Sequence, residues 1–410
     1  MKLDNPFVRS CFPAFEQANL KDWAFFENAG GSYACAPVIN ALNDYYLTHK
    51  LQPNHAFPAA LEAGELMDSS KRRMAEMLNV ATSEVHFGPS TSQNTFNLAQ
   101  ALGDSCFEGD EIIVTNQDHE ANIGVWRKLE QRGLVLKQWS VSAETGELDI
   151  ADLRKLLNEK TKAVAFTHCS NIVASINPVR EITDLVHSVD AITIVDGVSF
   201  CPHGLPDVKA LGADVYIFSL YKVYGPHLGV MVLSDELNKN LPHQSHFFLQ
   251  DNPAYRFTPA GPDHAQIAAV NGVIDYIDNL YTHHYSADNE TPNVRANKVL
   301  NLFQQHEHEI LQPLLDYLDS HDQLNLIGKT DATLRAPTVS FTSKKMDALS
   351  LTKALAEHKI MTGSGDFYAY RLVESLGFNL EQGVCRASMV HYNNAEEVDR
   401  LIEALEQIHS

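Results

Sequence analysis

Lys222 has the setting that most calls for chemistry. It stands in Ser219-Leu220-Tyr221-Lys222-Val223-Tyr224-Gly225-Pro226-His227-Leu228-Gly229, between two apolar runs, 215–218 and 230–233, that read as buried strands. An ammonium group is costly to desolvate. A lysine there is either a side chain snorkelling out from a strand end or an amine of lowered pKa suited to Schiff-base chemistry. Other polar residues fall at or just beyond the ends of apolar runs: His119 after 111–115, Asn171 after 163–167, Asp196 after 192–195, and Ser219 after 215–218. That shared placement says more than any one of them.

The elements that must position these residues alternate. Near-continuous apolar strands separated by helical stretches, among them 178–188, predict an α/β domain with a mostly parallel sheet, and in such sheets ligands collect at the carboxyl ends of the strands. Helices are expected at 36–50 and 60–79. A short strand at 85–87 runs into Gly88-Pro89-Ser90-Thr91-Ser92-Gln93-Asn94 and a helix to about 102. Hydroxyl groups and free N–H groups at a helix start suit a phosphate, although every helix needs an ordinary N-cap as well. Phe25-Phe26-Glu27-Asn28-Ala29-Gly30-Gly31-Ser32 reads as a tight turn, either plain or one where backbone approaches a ligand. No GxGxxG follows the first strand and no GxxxxGK[ST] occurs, so a dinucleotide or P-loop site is poorly supported. His243 and His246, His283 and His284, and His306 and His308 lack carboxylate or thiol company at ligand spacing, and no metal site is expected.

The polar stretch 281–291 marks the best domain boundary, which divides the chain into a segment 1–25 packing on the small domain or a partner, a large domain 26–280 and a small α+β domain 292–410. In the last, helix 293–320 precedes strands near 323–327 and 337–342, a helix near 346–358, a glycine-rich loop 361–366, a strand 384–390 and a final helix 395–409. Arg386 in that strand is either an edge salt bridge or a bidentate clamp for a carboxylate.

Composition bounds the rest. The 410 residues are 44% hydrophobic and 20% charged, enough for two sizeable cores. A formal net charge of −21 argues against nucleic acid and against an anionic membrane surface as partners. No apolar run approaches a membrane span, and residues 1–6 lack an apolar signal core. Six scattered cysteines without a CxxC pair suit reduced thiols, so a cytoplasmic location is expected.

A Schiff-base lysine, a strand-end aspartate, a stacking histidine and a hydroxylated helix start together point to pyridoxal 5′-phosphate (PLP). The chain resembles the class V aminotransferases, the family of cysteine desulfurases and isopenicillin-N-epimerase-like proteins. The resemblance rests on Asn28-Ala29-Gly30-Gly31, Asp118-His119-Glu120-Ala121-Asn122, Ser170-Asn171, Val195-Asp196-Gly197, Ser219-x-x-Lys222 and Arg386-Ala387-Ser388 with Tyr392-Asn393. It implies a PLP-dependent transferase of fold type I, with Lys222 carrying the cofactor and shuttling protons. His119 would stack on the ring, Asp196 pair with the ring nitrogen and Asn171 bond the ring hydroxyl. Ser92, the N–H of Gln93, Ser219 and Tyr221 would hold the phosphate. Arg386 would bind the substrate carboxylate, with Asn28 and Gly30 beside the substrate. The stretch 256–262 resembles the segment that reaches a neighbouring subunit's cofactor phosphate, which implies a homodimer with sites at the interface and Gly261 standing where the family has a threonine.

The departures bear on the reaction. Family desulfurases carry a nucleophilic cysteine in the loop matching 362–366; here the position matches Asp366, and 359–372 hold no cysteine. Asp366 is then either an acid or base for the leaving group or a solvated aspartate. Ser199 replaces a family glutamine and Tyr221 a histidine. The expected activity is β-elimination from a small amino acid, C–S-lyase-like and without a persulfide. Transamination, epimerisation and a catalytically weak PLP-binding role are the alternatives.

Overall fold

The computed structural model describes every residue except 260, 287 and 288, and only the backbone of residue 254. The expected boundary 281–291 therefore falls partly outside the described residues. A short strand β1 (Ala24–Phe25) opens the chain's sheets. β2 (Val85–Gly88), β3 (Glu111–Thr115), β4 (Val135–Trp139), β5 (Thr161–Thr167), β6 (Ile192–Asp196), β7 (Val215–Ser219) and β8 (Gly229–Leu233) then form a seven-stranded sheet in the order β2-β8-β7-β6-β5-β3-β4. Only β8 runs against the others.

Alternate residues of these strands enter different cores. Ile113, Val164, Phe166, Val195, Tyr216 and Phe218 pack on one face. Ile112, Val114, Ala163, Ala165, Ile194 and Ile217 pack on the other. The period-2 alternation of a strand buried on both sides produces this, and explains why its sequence is apolar throughout. Helix His264–His284 covers the first face with Ala36–Thr48 and Pro58–Leu78. Helix Thr91–Gly103 covers the second through Leu98, Ala99 and Leu102.

The smaller C-terminal domain holds β9 (Leu324–Ile327), β10 (Thr338–Ser343), β11 (Ile360–Met361), β12 (Gly363–Gly365) and β13 (Val384–Ser388). Four of these pair antiparallel in the order β12-β13-β10-β9. Leu311, Leu315, Leu351 and Leu401 from three helices bury one face against Val339, Phe341 and Ala387.

Three features differ from the sequence pattern or go beyond it. The supposed loop 361–366 contributes β12 and the end of β11, because glycines at 363 and 365 let the chain lie flat along β13. β4 and the helix Ile150–Leu156 carried no sequence expectation; β4 is an edge strand with Lys137 and Gln138 and with Val135 45% exposed, so it lacks the apolar run of its neighbours. Residues 26–28 lie on the small domain's sheet rather than opening the large domain. β1 pairs in parallel with β11, and Glu27 bridges Ser388. The preceding helix Asn5–Ser10 sits where the domains meet, with Asn5 donating to the carbonyls of His391 and Asn393, and Phe12 packed edge-on to Tyr224, Tyr276 and Tyr392.

One glycine ties the sheet to the site. A Cβ on Gly229 would lie 2.5 Å from the Ser90 carbonyl carbon and 2.7 Å from the Thr91 nitrogen. These are backbone atoms of the helix start and cannot swing away. Gly229→Ala is expected to destabilise the protein by about 1–3 kcal/mol, read as a lowered urea midpoint; an unchanged midpoint would contradict this packing.

Candidate active site

The carboxyl ends of β5, β6 and β7 and the start of helix Thr91–Gly103 enclose a cavity of about 180 Å³. Its wall includes Ser92, His119, Asn171, Asp196, Ser199, Ser219, Tyr221 and Lys222. Lys222 closes a 3₁₀ turn, Leu220–Lys222, directly after β7. Its side chain makes no hydrogen bond or ion pair among the described residues and is 7% exposed. Burial, with Arg386 nearby, brings the amine from the ordinary 10.5 down to about 8, while Asp196 and Glu27 oppose the shift.

Asp196 ends β6. Its Oδ1 accepts the Val198 N–H at 2.9 Å, and Oδ2 has no partner among the described residues. Burial raises this carboxyl to about 6 against the pull of the Val198 N–H and Lys222. His119 caps the turn Glu120–Asn122: its Nδ1 accepts the Ala121 N–H at 3.0 Å, which puts the ring proton of the neutral form on Nε2. Burial, then Lys222 and Arg386, lower it to about 4, so the imidazole is neutral at physiological pH. Behind it, Asn122 donates to Asp118 at 2.7 Å and Trp126 to Asn122 at 3.1 Å, fixing the turn.

At the helix start the structure alters the expected donor set. The Gln93 N–H donates to the Ser90 hydroxyl at 3.1 Å as an N-cap bond, and Gln93 faces a neighbouring groove. Thr91, which sequence reasoning missed, stands on the cavity wall in its place. Its hydroxyl shares a 2.7 Å hydrogen bond with Ser219. His227, also missed, lies on the wall stacked on Tyr221 at 4.8 Å. Both stand within stretches that had drawn notice, one residue from Ser92 and five from Lys222. Gly261 is not on this wall; it lines the adjacent groove of about 700 Å³ with Phe257, Pro259 and Pro262.

The substrate-side residues are brought close but are engaged. Arg386 is 3% exposed, and its Nη2 bonds Glu27 Oε1 at 2.9 Å. Nη1 donates to the Asn171 carbonyl at 3.3 Å, and the Phe367 ring lies 3.7 Å from the guanidinium. Asn28 donates to the carbonyls of Phe25 and Ser388 while accepting from Tyr392, which holds residues 24–28 on β13, and it lines a small adjoining cavity with Ser199 and Lys222. Asp366 does not line the cavity either. Its Oδ1 accepts the Tyr368 N–H at 2.8 Å, which makes it the cap of a turn.

That turn is strained. Phe367 and Tyr368 sit consecutively at φ +50 and +59, a region bulky residues avoid. Asn171 Nδ2 donates to the Phe367 carbonyl at 2.9 Å and the Glu120 N–H to the Tyr368 carbonyl at 2.8 Å, pinning the small domain's turn onto the large domain's site. Tyr368, 72% exposed, brings its ring within 5.2 Å of His119. No cysteine belongs to this segment. Cys169 lies on the cavity wall with its thiol pushed up to about 12 by burial, and burial raises Cys385 to about 11.

The family model for aminotransferase class V matches residues 24–303 and 293–401. The chain belongs to the class V aminotransferases. It is 35% identical over 411 residues to the aminotransferase-like protein FGM3 of Gibberella zeae, across 98% of this chain and 97% of that relative. It is 28% identical over 421 residues to a cysteine desulfurase of Dickeya dadantii, across 98% and 96%. The apo cysteine desulfurase of Thermococcus onnurineus NA1 superposes with a TM-score of 0.87 at 24% identity, covering 100% of this chain and 98% of that one, which speaks for the fold.

As a class V aminotransferase the chain is a PLP-dependent enzyme, and its cavity fits that cofactor. A buried amine and one oxygen of a buried carboxylate, both without a partner among the described residues, a neutral imidazole and a hydroxylated helix start face one space. Lowering of the Lys222 pKa has a sign that can be checked. The amine loses its proton as pH rises through about 8 instead of 10.5, so on the cofactor-free chain reductive methylation of Lys222, followed by mass spectrometry, should rise through pH 8. A rise only near 10.5 would mean an exposed amine.

Proposed function

We propose that this enzyme removes a substituent from the β-carbon of a small amino acid, in a C–S-lyase-like elimination that uses no persulfide. The observation that carries the reading is the pairing of one cavity lined by Lys222, Asp196 and His119 with a turn at 366–369 that holds no thiol. A persulfide route needs a thiolate on that segment. Cys385 is buried in β13, and burial disfavours its ionised form.

The placement of these residues supports the following parts. Lys222 Nζ would hold the cofactor's aldehyde carbon. Asp196 Oδ2 would accept the pyridine N–H, His119 would lie on the ring face, and Asn171 and Ser199 would meet the ring's polar edge. Ser92, Thr91, Ser219 and Tyr221 would receive the phosphate at the helix N-terminus. When bound, the cofactor supplies a protonated ring that takes up the electron pair left at the substrate Cα. Arg386 would orient the substrate by its carboxylate. The deprotonated Lys222 amine takes the Cα proton. The β-substituent departs with its bonding pair and is protonated on leaving; the unsaturated amine that remains adds water and releases ammonia, leaving a keto acid.

The groove beside the cavity, with Gly261 on its wall and Phe247 and Phe248 exposed, supports a homodimer whose copies meet over the site. Six unpaired cysteines support a cytoplasmic setting. No helix among the described residues is long and apolar enough to cross a membrane.

Two measurements test this. Incubation with amino acids bearing β-thiol or other β-leaving groups should release keto acid and ammonia; amino-group transfer or racemisation without release would replace elimination with those readings. Lys222→Ala should lose the visible absorption of the bound cofactor and cut turnover by at least about 10²-fold, whereas Cys385→Ala should leave turnover unchanged. A C385A variant that loses turnover would bring back a thiol mechanism.

A further inference from the structure

Arg386 has a carboxylate partner before any substrate arrives. The Glu27 side chain, 29% exposed, reaches it from residues 24–28, which Asn28 fastens to β13. The fit is close. A Cβ on Gly30 would fall 1.9 Å from Glu27 Oε2, and a Cβ on Gly363 would fall 2.8 Å from Glu27 Oε1. Gly30 thus leaves the space this carboxylate fills, and Gly363 leaves space for it and for the Phe367 ring, 2.7 Å from that Cβ. The other Arg386 donors are poorly used: Nη1 makes a 3.3 Å bond, and Nε is buried without a partner among the described residues. Arg386 is also shielded by the Phe367 ring and does not reach the cavity wall.

We infer that Glu27 is a built-in competitor for Arg386: its carboxylate occupies the place of the substrate carboxylate, and substrates bind by displacing it toward solvent. This rests on Arg386 being the substrate-carboxylate group, as proposed above. Two carboxylates on one guanidinium repel each other, and the loss of one charged partner from a buried arginine is costly. Glu27 thereby sets how strongly an amino acid must bind through its remaining groups before it is held. Weak, poorly matched carboxylates do not displace it, so Glu27 is a specificity-determining residue that acts through Arg386.

The test measures binding of [1-¹³C]propionate to the cofactor-loaded protein by NMR titration, beside circular dichroism and melting of each variant. Glu27→Gln removes the competing charge and keeps a hydrogen-bond acceptor. Gly30→Ala keeps the charge but pushes the carboxylate off Arg386, at a backbone position where φ is not positive. Both are expected to bind propionate about tenfold more tightly than the parent, while Glu27→Asp falls between. Arg386→Gln should abolish binding in every background. If E27Q and G30A fold but bind propionate no better than the parent, with R386Q still abolishing binding, Glu27 is only structural and the inference is overturned. If R386Q binds propionate as well as the parent, the assignment of Arg386 fails first. If E27Q does not fold, G30A alone decides, since a purely structural Glu27 predicts lost stability without tighter binding.

Discussion

The interaction on which the site depends is the desolvation of one amine. Lys222 ends a turn at the carboxyl edge of a sheet buried on both faces, and nothing within the described residues takes its charge in a hydrogen bond or ion pair. Asp196 and Glu27 supply opposite charge at a distance, and Arg386 supplies like charge. The balance leaves a base close to neutral range rather than an inert ammonium. Such an arrangement persists only because the two cores on either side of the sheet hold β6 and β7 in register and so hold Asp196 and Lys222 at fixed places.

The second constraint is that the site is assembled from parts that belong to different units. The large sheet brings the amine, the carboxylate and the helix start. The small sheet brings Arg386, and residues 24–28 bring Glu27 by adding β1 to β11. The junction is held by apolar packing, as where Val141, Ile172 and Val173 meet Ile327, Leu372 and Val384, and by polar atoms. Asn28 ties these residues to β13, and the turn at 366–369 is pinned by Asn171 and the Glu120 N–H. Two residues held at positive φ show that this contact, rather than local preference, sets the turn's shape. Arg386, Phe367, Tyr368 and His119 are therefore in contact across one junction.

Most of the large domain was legible in the sequence. Strands buried on both faces must be apolar throughout, so β3, β5, β6, β7 and β8 stood out, and each polar residue at their ends fell where a ligand collects. Edge strand β4 and the glycine strand β12 did not, because a half-exposed edge and a strand of two glycines and a serine carry no apolar signature. The cavity residues Lys222, Asp196, His119, Asn171, Ser92, Ser199, Ser219 and Tyr221 were all named from the sequence and all line one space. Gln93, Gly30, Gly261, Asp366 and Arg386 were named beside them and do not line it, while Asn28 lines a small adjoining cavity with Ser199 and Lys222.

The chain by itself determined the class of chemistry. The residue types a cofactor needs occur at strand ends in a fixed order, and that follows from local pattern. It also determined that residues 359–372 hold no cysteine. Only the tertiary structure decided which of these groups are free. That Arg386 is already paired with Glu27, 359 residues away in sequence, that Asp366 caps a turn, and that the Gln93 N–H belongs to Ser90 while Thr91 faces the cavity are matters of through-space contact. No local pattern encodes a partner hundreds of residues distant, because a carboxylate or amide reads the same in sequence whether it is engaged or open.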